Sequence, residues 1–375
     1  MSPFNVVQII PELKSGGVER GTIDVANYLS NLKIHNHIIS NGGFLEKELN
    51  YNFTNHLKLP VHSKNFLLFP KIASKIDKYI KEKNINLVHV RSRAPAWLVN
   101  ILNKDKIKTI STFHNVYSGN FFLKKLYNQG LAKTDNIVAI SNYVKSEIIK
   151  KYNISNKKIT VINRGVDNVF FDGNVSNHDV KNFKEKFQIK KNLKIELFPG
   201  RLTEWKGQLE FIHIAKKLSK HNIFTYFVGD SKNTSYTKKL HKKIIENQLS
   251  ENCKILGNLS QKDLKIMYFI SSIIVSFPKR PEGFGRIISE SLSMKKLVLA
   301  FNFGGVQDQL YNLDSIYKVD PLRYHNLDIK ILDLINLNSE KVYNLKEIGR
   351  NHVNKYFSKK QMVEKYKNYY ESLSI

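Results

Sequence analysis

Short apolar runs alternate with stretches of helical periodicity along the whole chain. Runs at 4–10, 37–40, 87–90, 108–112, 136–140 and 159–162 predict strands, most of them ending at a polar or Gly-containing turn. A second series follows at 193–198, 223–228, 253–256, 273–277 and 297–301. Strands alternating with helices predict an α/β chain with parallel sheets. Residues 165–179 separate the two series, are rich in Asp, Asn and Gly and lack a helical period. The junction is placed there, giving two Rossmann-like, doubly wound domains: an N-terminal one over 1–170 and a C-terminal one over 171–357. Residues 358–375 predict a helix with Met362, Tyr366 and Tyr369 or Tyr370 on one face, expected to pack back on the N-terminal domain. Two such domains are expected to face a central cleft, with ligands at the C-terminal ends of the strands.

Composition changes this picture in three ways. With 375 residues and 42% hydrophobic residues the chain can fill two cores. Its one cysteine, Cys253, excludes an internal disulfide framework and reads as a small core residue in a strand. The chain runs directly into its first strand, so no signal peptide is expected. No apolar run approaches the roughly 20 residues that span a bilayer. The formal net charge of +28 implies an anionic partner: lipid head groups, nucleic acid or a polyanionic substrate. A basic nucleic-acid-binding protein would show a recognisable module; none is visible, so no nucleic-acid partner is expected.

Candidate chemistry sits after the strands. Pro281-Glu282-Gly283-Phe284-Gly285 follows a buried strand and leads into a helix carrying Glu290. The glycines let backbone approach a ligand and free N–H groups at a helix start. Glu282 and Glu290, about two turns apart, either bind hydroxyls of a sugar and a ribose or are a turn acid and a solvated helix residue. Arg201 and Lys206, in the loop after the first strand of the second series, suit a diphosphate by their fork and point charge; alone they would equally fit an ordinary basic loop. Gly16-Gly17 opens a helix after the first strand, without the dinucleotide or P-loop spacing. His114 ends another strand. Arg91 and Arg93 are expected at one strand end, pointing the same way towards an anionic ligand. The sequence has no Asp-x-Asp triplet, no His-Glu-x-x-His, no Cys pair and no Gly-x-Ser-x-Gly. No metal site or hydrolase nucleophile elbow is therefore visible.

Two segments bear on membranes. In 71–83, Ile72, Ile76, Tyr79 and Ile80 form one face and lysines the other, which favours a helix packed on its own sheet. In 120–133, Phe121, Phe122, Lys124, Lys125 and Tyr127 follow His114 closely, which favours contact with an anionic bilayer or an acceptor.

Together these elements resemble glycosyltransferase family 4, of the GT-B fold, over nearly the whole chain. The matching residues are Gly16-Gly17, Ser141, Asn163-Arg164-Gly165-Val166-Asp167, Arg201 with Lys206, Gly229-Asp230, Leu256-Gly257, Glu282 to Glu290, and Gly304-Gly305. The resemblance implies a retaining transferase that moves a sugar from a nucleotide-sugar to a hydroxyl of a glycan or lipid-linked acceptor. Arg201 and Lys206 would hold the diphosphate, helped by the Gly17 backbone, and Glu290 the ribose. Glu282 with the backbone of 283–285 would hold the sugar, His114 would contact it near the reacting carbon, and Leu256 and Gly257 would border the base. No cofactor and no metal are implied. The chain departs from the family where many members read Asn-Gly in place of Asn163-Arg164-Gly165, and Pro-Glu soon after the Gly-Gly pair in place of Gln307-Asp308. The Arg91-Ser92-Arg93 element resembles bacterial members acting on cell-surface glycans, which implies lipopolysaccharide or similar synthesis in the cytoplasm, on the inner face of the membrane. The alternatives are a GT-B enzyme of sugar-nucleotide epimerase type and, from the charge of +28, a basic nucleic-acid-binding protein.

Overall fold

The computed structural model describes residues 4–14, 16–102, 105, 107–117, 122–190 and 193–374. Among them lie two compact units: Met1–Gly165 with Lys359–Ile375, and Val166–Ser358. Phe121, with the chain's first three residues, lies outside the described residues.

The first unit carries a seven-stranded parallel sheet, β1 (Val6–Ile9), β2 (Asn36–Ser40), β3 (Thr54–Lys58), β4 (Leu87–Val90), β5 (Lys108–Phe113), β6 (Asn136–Ala139) and β7 (Ile159–Val161), in the order β3-β2-β1-β4-β5-β6-β7. The second carries six strands, β8 (Lys194–Pro199), β9 (Ile223–Val228), β10 (Cys253–Gly257), β11 (Ile273–Ser276), β12 (Leu297–Phe301) and β13 (Lys318–Val319), in the order β10-β9-β8-β11-β12-β13. Central strands such as β1 and β12 are buried throughout. Helices cover both faces of such sheets, so their strands read as unbroken apolar runs. Both orders reverse once, between β1 and β4 and between β8 and β11. These are the switch points where loops diverge and leave room for a ligand.

Two strands escaped the sequence pattern. β3 reads Thr-Asn-His-Leu-Lys and is buried only at Thr54, and β13 is two residues long. Both lie at sheet edges, where one side needs no apolar cover and the alternation fades.

The boundary falls after Gly165, five residues before the expected one. Val166 donates its N–H to the Phe357 carbonyl (2.8 Å) and pairs with Ser358. Phe170, 1% exposed, packs edge-on against Tyr268 at 5.8 Å and is a core residue of the second unit. The helix Lys359–Leu373 completes the first unit's core, where Met362, Val363, Tyr366 and Tyr370 join Val6, Val25, Leu29, Leu87 and Ile110. Tyr370 is the buried alternative and Tyr369 the partly buried one. Within the helix Phe69–Glu82, Ile72, Ile76 and Ile80 are buried and Tyr79 hydrogen-bonds His37 (3.0 Å), so that face belongs to the unit's own core. Cys253 is buried in β10, and burial pushes its thiol well above the usual range.

Candidate active site

In the second unit the loops after β8 and β11 meet. The β8 loop is stitched to its neighbours by backbone: Gly200 donates to Val228 (2.7 Å) and Leu202 to Asp230 (2.9 Å). Gly229 lies so close that a Cβ there would overlap the Gly200 carbonyl. The buried Gln208 donates to the Arg201 carbonyl (3.1 Å). This fixes the Arg201 backbone and leaves its side chain exposed, 6.0 Å from the Trp205 ring. Gly207 turns the chain with φ 84°, and a Cβ would stand 2.5 Å from the Phe277 carbonyl. That turn aims Lys206 inward.

Lys206 is 6% exposed and donates to Glu282 at 2.7 Å. The side chains are 8% and 14% exposed. Glu282 stands on a loop held from below by the glycine pair after β12. The Gly305 N–H donates to the Glu282 carbonyl (2.8 Å), and Gly304 takes φ 62°. A Cβ on Gly304 would lie 2.7 Å from Pro281, and one on Gly305 would overlap the Gly283 carbonyl. Gly285, φ 85°, caps the helix Arg286–Ser293. On that helix Glu290 is 6% exposed; it accepts from Arg286 (2.8 Å) and from the Tyr268 hydroxyl (3.1 Å). Lys206 is thus not a surface lysine and Glu290 not a solvated helix acid, whereas the Arg201 side chain is that of an exposed basic loop. Each carboxylate is held by one cation and keeps lone pairs for hydroxyl donors.

The sequence expectation for Phe284 concerns its backbone. Its side chain is 4% exposed and packs against Phe357, so that only its backbone borders the loop. Leu256 and Gly257 end β10 at a register shift, both partly exposed. Gly257 has φ 70°, and a Cβ there would face open space.

Gln309 is a residue that sequence reasoning passed over. It is fully buried, donates to the Phe284 carbonyl and to that of Gly285 (3.1 Å), and accepts from the Ser289 N–H (3.0 Å). It therefore ties the glycine loop to the helix that follows. His352 braces the Gln309 carbonyl at 2.9 Å. A lone Gln near a familiar Gly-Gly pair carries no sequence signal of this role.

In the first unit, Gly16 takes φ 138° and caps the helix Gly17–Asn31, and the Glu19 carboxylate folds over it. The two arginines do not share a direction. Arg91 is buried directly beyond β4, whereas Arg93 opens the helix Arg93–Asn100. Arg93 donates to Asn128 (2.7 Å) and lies over the Tyr117 ring at 4.2 Å and the Tyr127 ring at 5.4 Å. The strand ends at Val90, so the helix geometry that begins at Arg93 turns its side chain away. His114 follows β5. Burial, with Arg164, Arg91 and His89 beside it, holds its imidazole well below the usual value and therefore neutral. Lys124 and Lys125 are exposed on the helix Phe122–Asn128. Among the described residues no helix is long and apolar enough to cross a membrane.

Known proteins place this geometry. The family model described as Glycosyltransferase Family 4 matches residues 15–169, and Glycosyl transferases group 1 matches 179–352. A crystal structure of a glycosyltransferase from Rickettsia africae is 36% identical, covers 98% of both chains and has a TM-score of 0.88. An uncharacterized glycosyltransferase of Methanocaldococcus jannaschii is 28% identical over 96% of this chain and 95% of its own length. The fold is also that of Anabaena HepE in complex with UDP and glucose, 18% identical, covering 98% of this chain and 100% of that one, with a TM-score of 0.79. Two parallel-sheet Rossmann-like units with glycine-rich loops at their strand ends thus carry two matching family models and a relative alike from end to end, and the chain belongs to glycosyltransferase family 4, with the GT-B fold.

Proposed function

We propose that the protein transfers a sugar, with retention of anomeric configuration, from a nucleoside-diphosphate donor to a hydroxyl of a glycan or lipid-linked acceptor. The observation that carries this reading is the buried Lys206–Glu282 pair between the β8 and β11 loops, with Glu290 buried on the next helix. The donor's C1–oxygen bond breaks as the acceptor oxygen bonds C1 on the same face, negative charge grows on the departing diphosphate, and the acceptor's hydroxyl proton passes to the departing phosphate oxygen. Lys206 and Arg201 offer fixed positive charge to it, and the first N–H groups of the helix Arg286–Ser293 point the same kind of dipole. Such preorganised charge contributes several kcal/mol where water is excluded. Glu282 and the 283–285 backbone take sugar hydroxyls, Glu290 takes those of the ribose, and Leu256-Gly257 borders the base.

The donor diphosphate is neutralised by these side chains, with no divalent metal. Uridine is the first base to test, because HepE is solved with UDP. His114 carries a neutral ring at the first unit's strand ends, able to donate to or accept from a sugar hydroxyl. The surface lysines Lys124 and Lys125 are the first unit's contribution to contact with an anionic acceptor or bilayer.

Calorimetric titration of wild-type protein and Glu290→Ala with UDP, GDP, ADP and their glucose conjugates tests the reading. One nucleotide is expected to bind wild type and to weaken sharply in Glu290→Ala. Binding of none of them by wild type, or equal binding by the variant, overturns the site assignment.

A further inference from the structure

Arg91 is 1% exposed, yet none of its three guanidinium nitrogens meets a hydrogen-bond acceptor among the described residues. Its backbone is fixed, with its N–H donating to the Ile9 carbonyl of β1 (2.9 Å), and its side chain lies 5.0 Å from the centre of the Tyr366 ring. That ring accounts for one face of the guanidinium plane and for none of its five N–H donors. His114 repeats the anomaly: both of its ring nitrogens are buried and unbonded.

The surroundings are cationic. Arg164, 7% exposed, lies against Gly21, where a Cβ would stand 2.8 Å from its guanidinium, so the missing side chain leaves room for it. His89 is satisfied, bonded to the Tyr370 and Thr112 hydroxyls at 2.7 Å each, and is held neutral by burial and by Arg91. Glu19 is an acid near Arg164, and burial pushes its own carboxyl up. Arg93 is the instructive contrast, because it donates to Asn128 and lies over two aromatic rings.

A buried guanidinium without an acceptor is among the costliest arrangements a fold can hold, and buried donors in native proteins are nearly always matched. A site that keeps one supplies the missing acceptor from outside the chain. The planar fork of arginine fits an oxyanion in two-point contact, and an imidazole beside it adds one further donor. The position also suits a ligand: Arg91 follows β4 and Gly16 follows β1, the two strands at this sheet's switch point.

We propose that Arg91, with His114 beside it, is a seat for a phosphate group carried by the acceptor. That the phosphate belongs to the acceptor rests on the transferase reading; the seat itself does not. The phosphate belongs either to a water-soluble sugar phosphate or to a lipid phosphate, and the two share the same recognition chemistry.

Inorganic phosphate, glucose 6-phosphate and monomeric dihexanoyl phosphatidic acid are titrated at constant ionic strength into wild type, Arg91→Met, Arg91→Lys and Lys206→Met. Glucose is the neutral control, and the His114 ring is followed by NMR. Phosphate-bearing ligands are expected to bind wild type and to keep a binding event that moves the His114 ring in Lys206→Met, where the donor loop's own charge is removed. In Arg91→Met they should weaken roughly tenfold or more, because a charge-assisted two-point contact is lost. Arg91→Lys, which keeps the charge without the fork, falls between. Binding is expected to move the His114 titration to higher pH, since a nearby anion favours imidazolium. Preference for glucose 6-phosphate or for the lipid phosphate names the source. Equal affinity in both Arg91 variants, or binding that depends on Lys206 alone with an unmoved His114, overturns the seat. UDP binding in the same variants reports separately on the donor reading, which stands or falls without Arg91.

Discussion

Replacing Lys206 by Met separates a structural lysine from a donor-binding one. Its ammonium is 2.7 Å from Glu282, with side chains 8% and 14% exposed. Lys206→Met leaves a mostly buried carboxylate without its cation, at a cost of roughly 1–3 kcal/mol. The double variant Lys206→Met/Glu282→Gln removes both charges at nearly constant volume, and such replacements are often close to neutral. Urea unfolding should therefore show the single variant destabilised and the double variant largely restored. Donor binding should behave differently. A charged hydrogen bond to a diphosphate contributes roughly 1.5–3 kcal/mol, so UDP affinity should fall about 10- to 150-fold in both variants. Glu282→Gln alone frees Lys206 from its internal partner; it should bind UDP at least as well as wild type while losing its preference for UDP-glucose over UDP. If affinity instead tracks stability, recovering in the double variant, Lys206 serves the fold and the diphosphate assignment fails.

Three further outcomes follow from named contacts. Glu196, fully buried in β8, has its carboxyl pushed by burial from 4.5 to about 8. A raised acid contributes stability that is present below pH 4.5 and lost as pH rises through 8. At about 1.4 kcal/mol per pH unit the ceiling is about 5 kcal/mol. Urea unfolding at pH 5, 7 and 9 should show wild type weakening relative to Glu196→Gln, and parallel profiles would refute this. Gly305→Ala meets no backbone strain, but its Cβ overlaps the Gly283 carbonyl; it should cost roughly 1–3 kcal/mol and weaken UDP binding by displacing the Glu282 loop. Transfer activity should persist in excess EDTA, because fixed cations meet the diphosphate charge; loss of activity restored by magnesium would show that Arg201 and Lys206 do not suffice.

Fold and site were legible in the sequence to different depths, and each failure has a cause. Strands buried on both faces announce themselves as apolar runs, so the central strands of both sheets were readable while the edge strands β3 and β13 were not. The boundary was misplaced because a polar, Gly-bearing stretch reads as linker, although Phe170 within it is a core residue. Residues at strand ends could be named because parallel sheets always open there. Their directions could not, since direction depends on where a strand stops and a helix starts. One residue decides this: β4 ends at Val90, Arg91 continues inward beneath the Tyr366 ring, and Arg93 already belongs to a helix and turns to Asn128. Spacing of two implies a shared face only while the backbone stays extended. The same limit hid Gln309, whose importance lies in the carbonyls it ties together and not in its neighbours in sequence. Charge shows the converse. The surplus of +28 was visible at once and implied an anionic partner. Most of the lysines lie on the surface, where excess charge is solvated and specifies little. What specifies a ligand is cationic groups that the fold has buried: Lys206, matched by Glu282, and Arg91, matched by no acceptor among the described residues. The first keeps its charge in place against a carboxylate of the chain. The second holds its donors ready for an oxyanion that the chain does not provide.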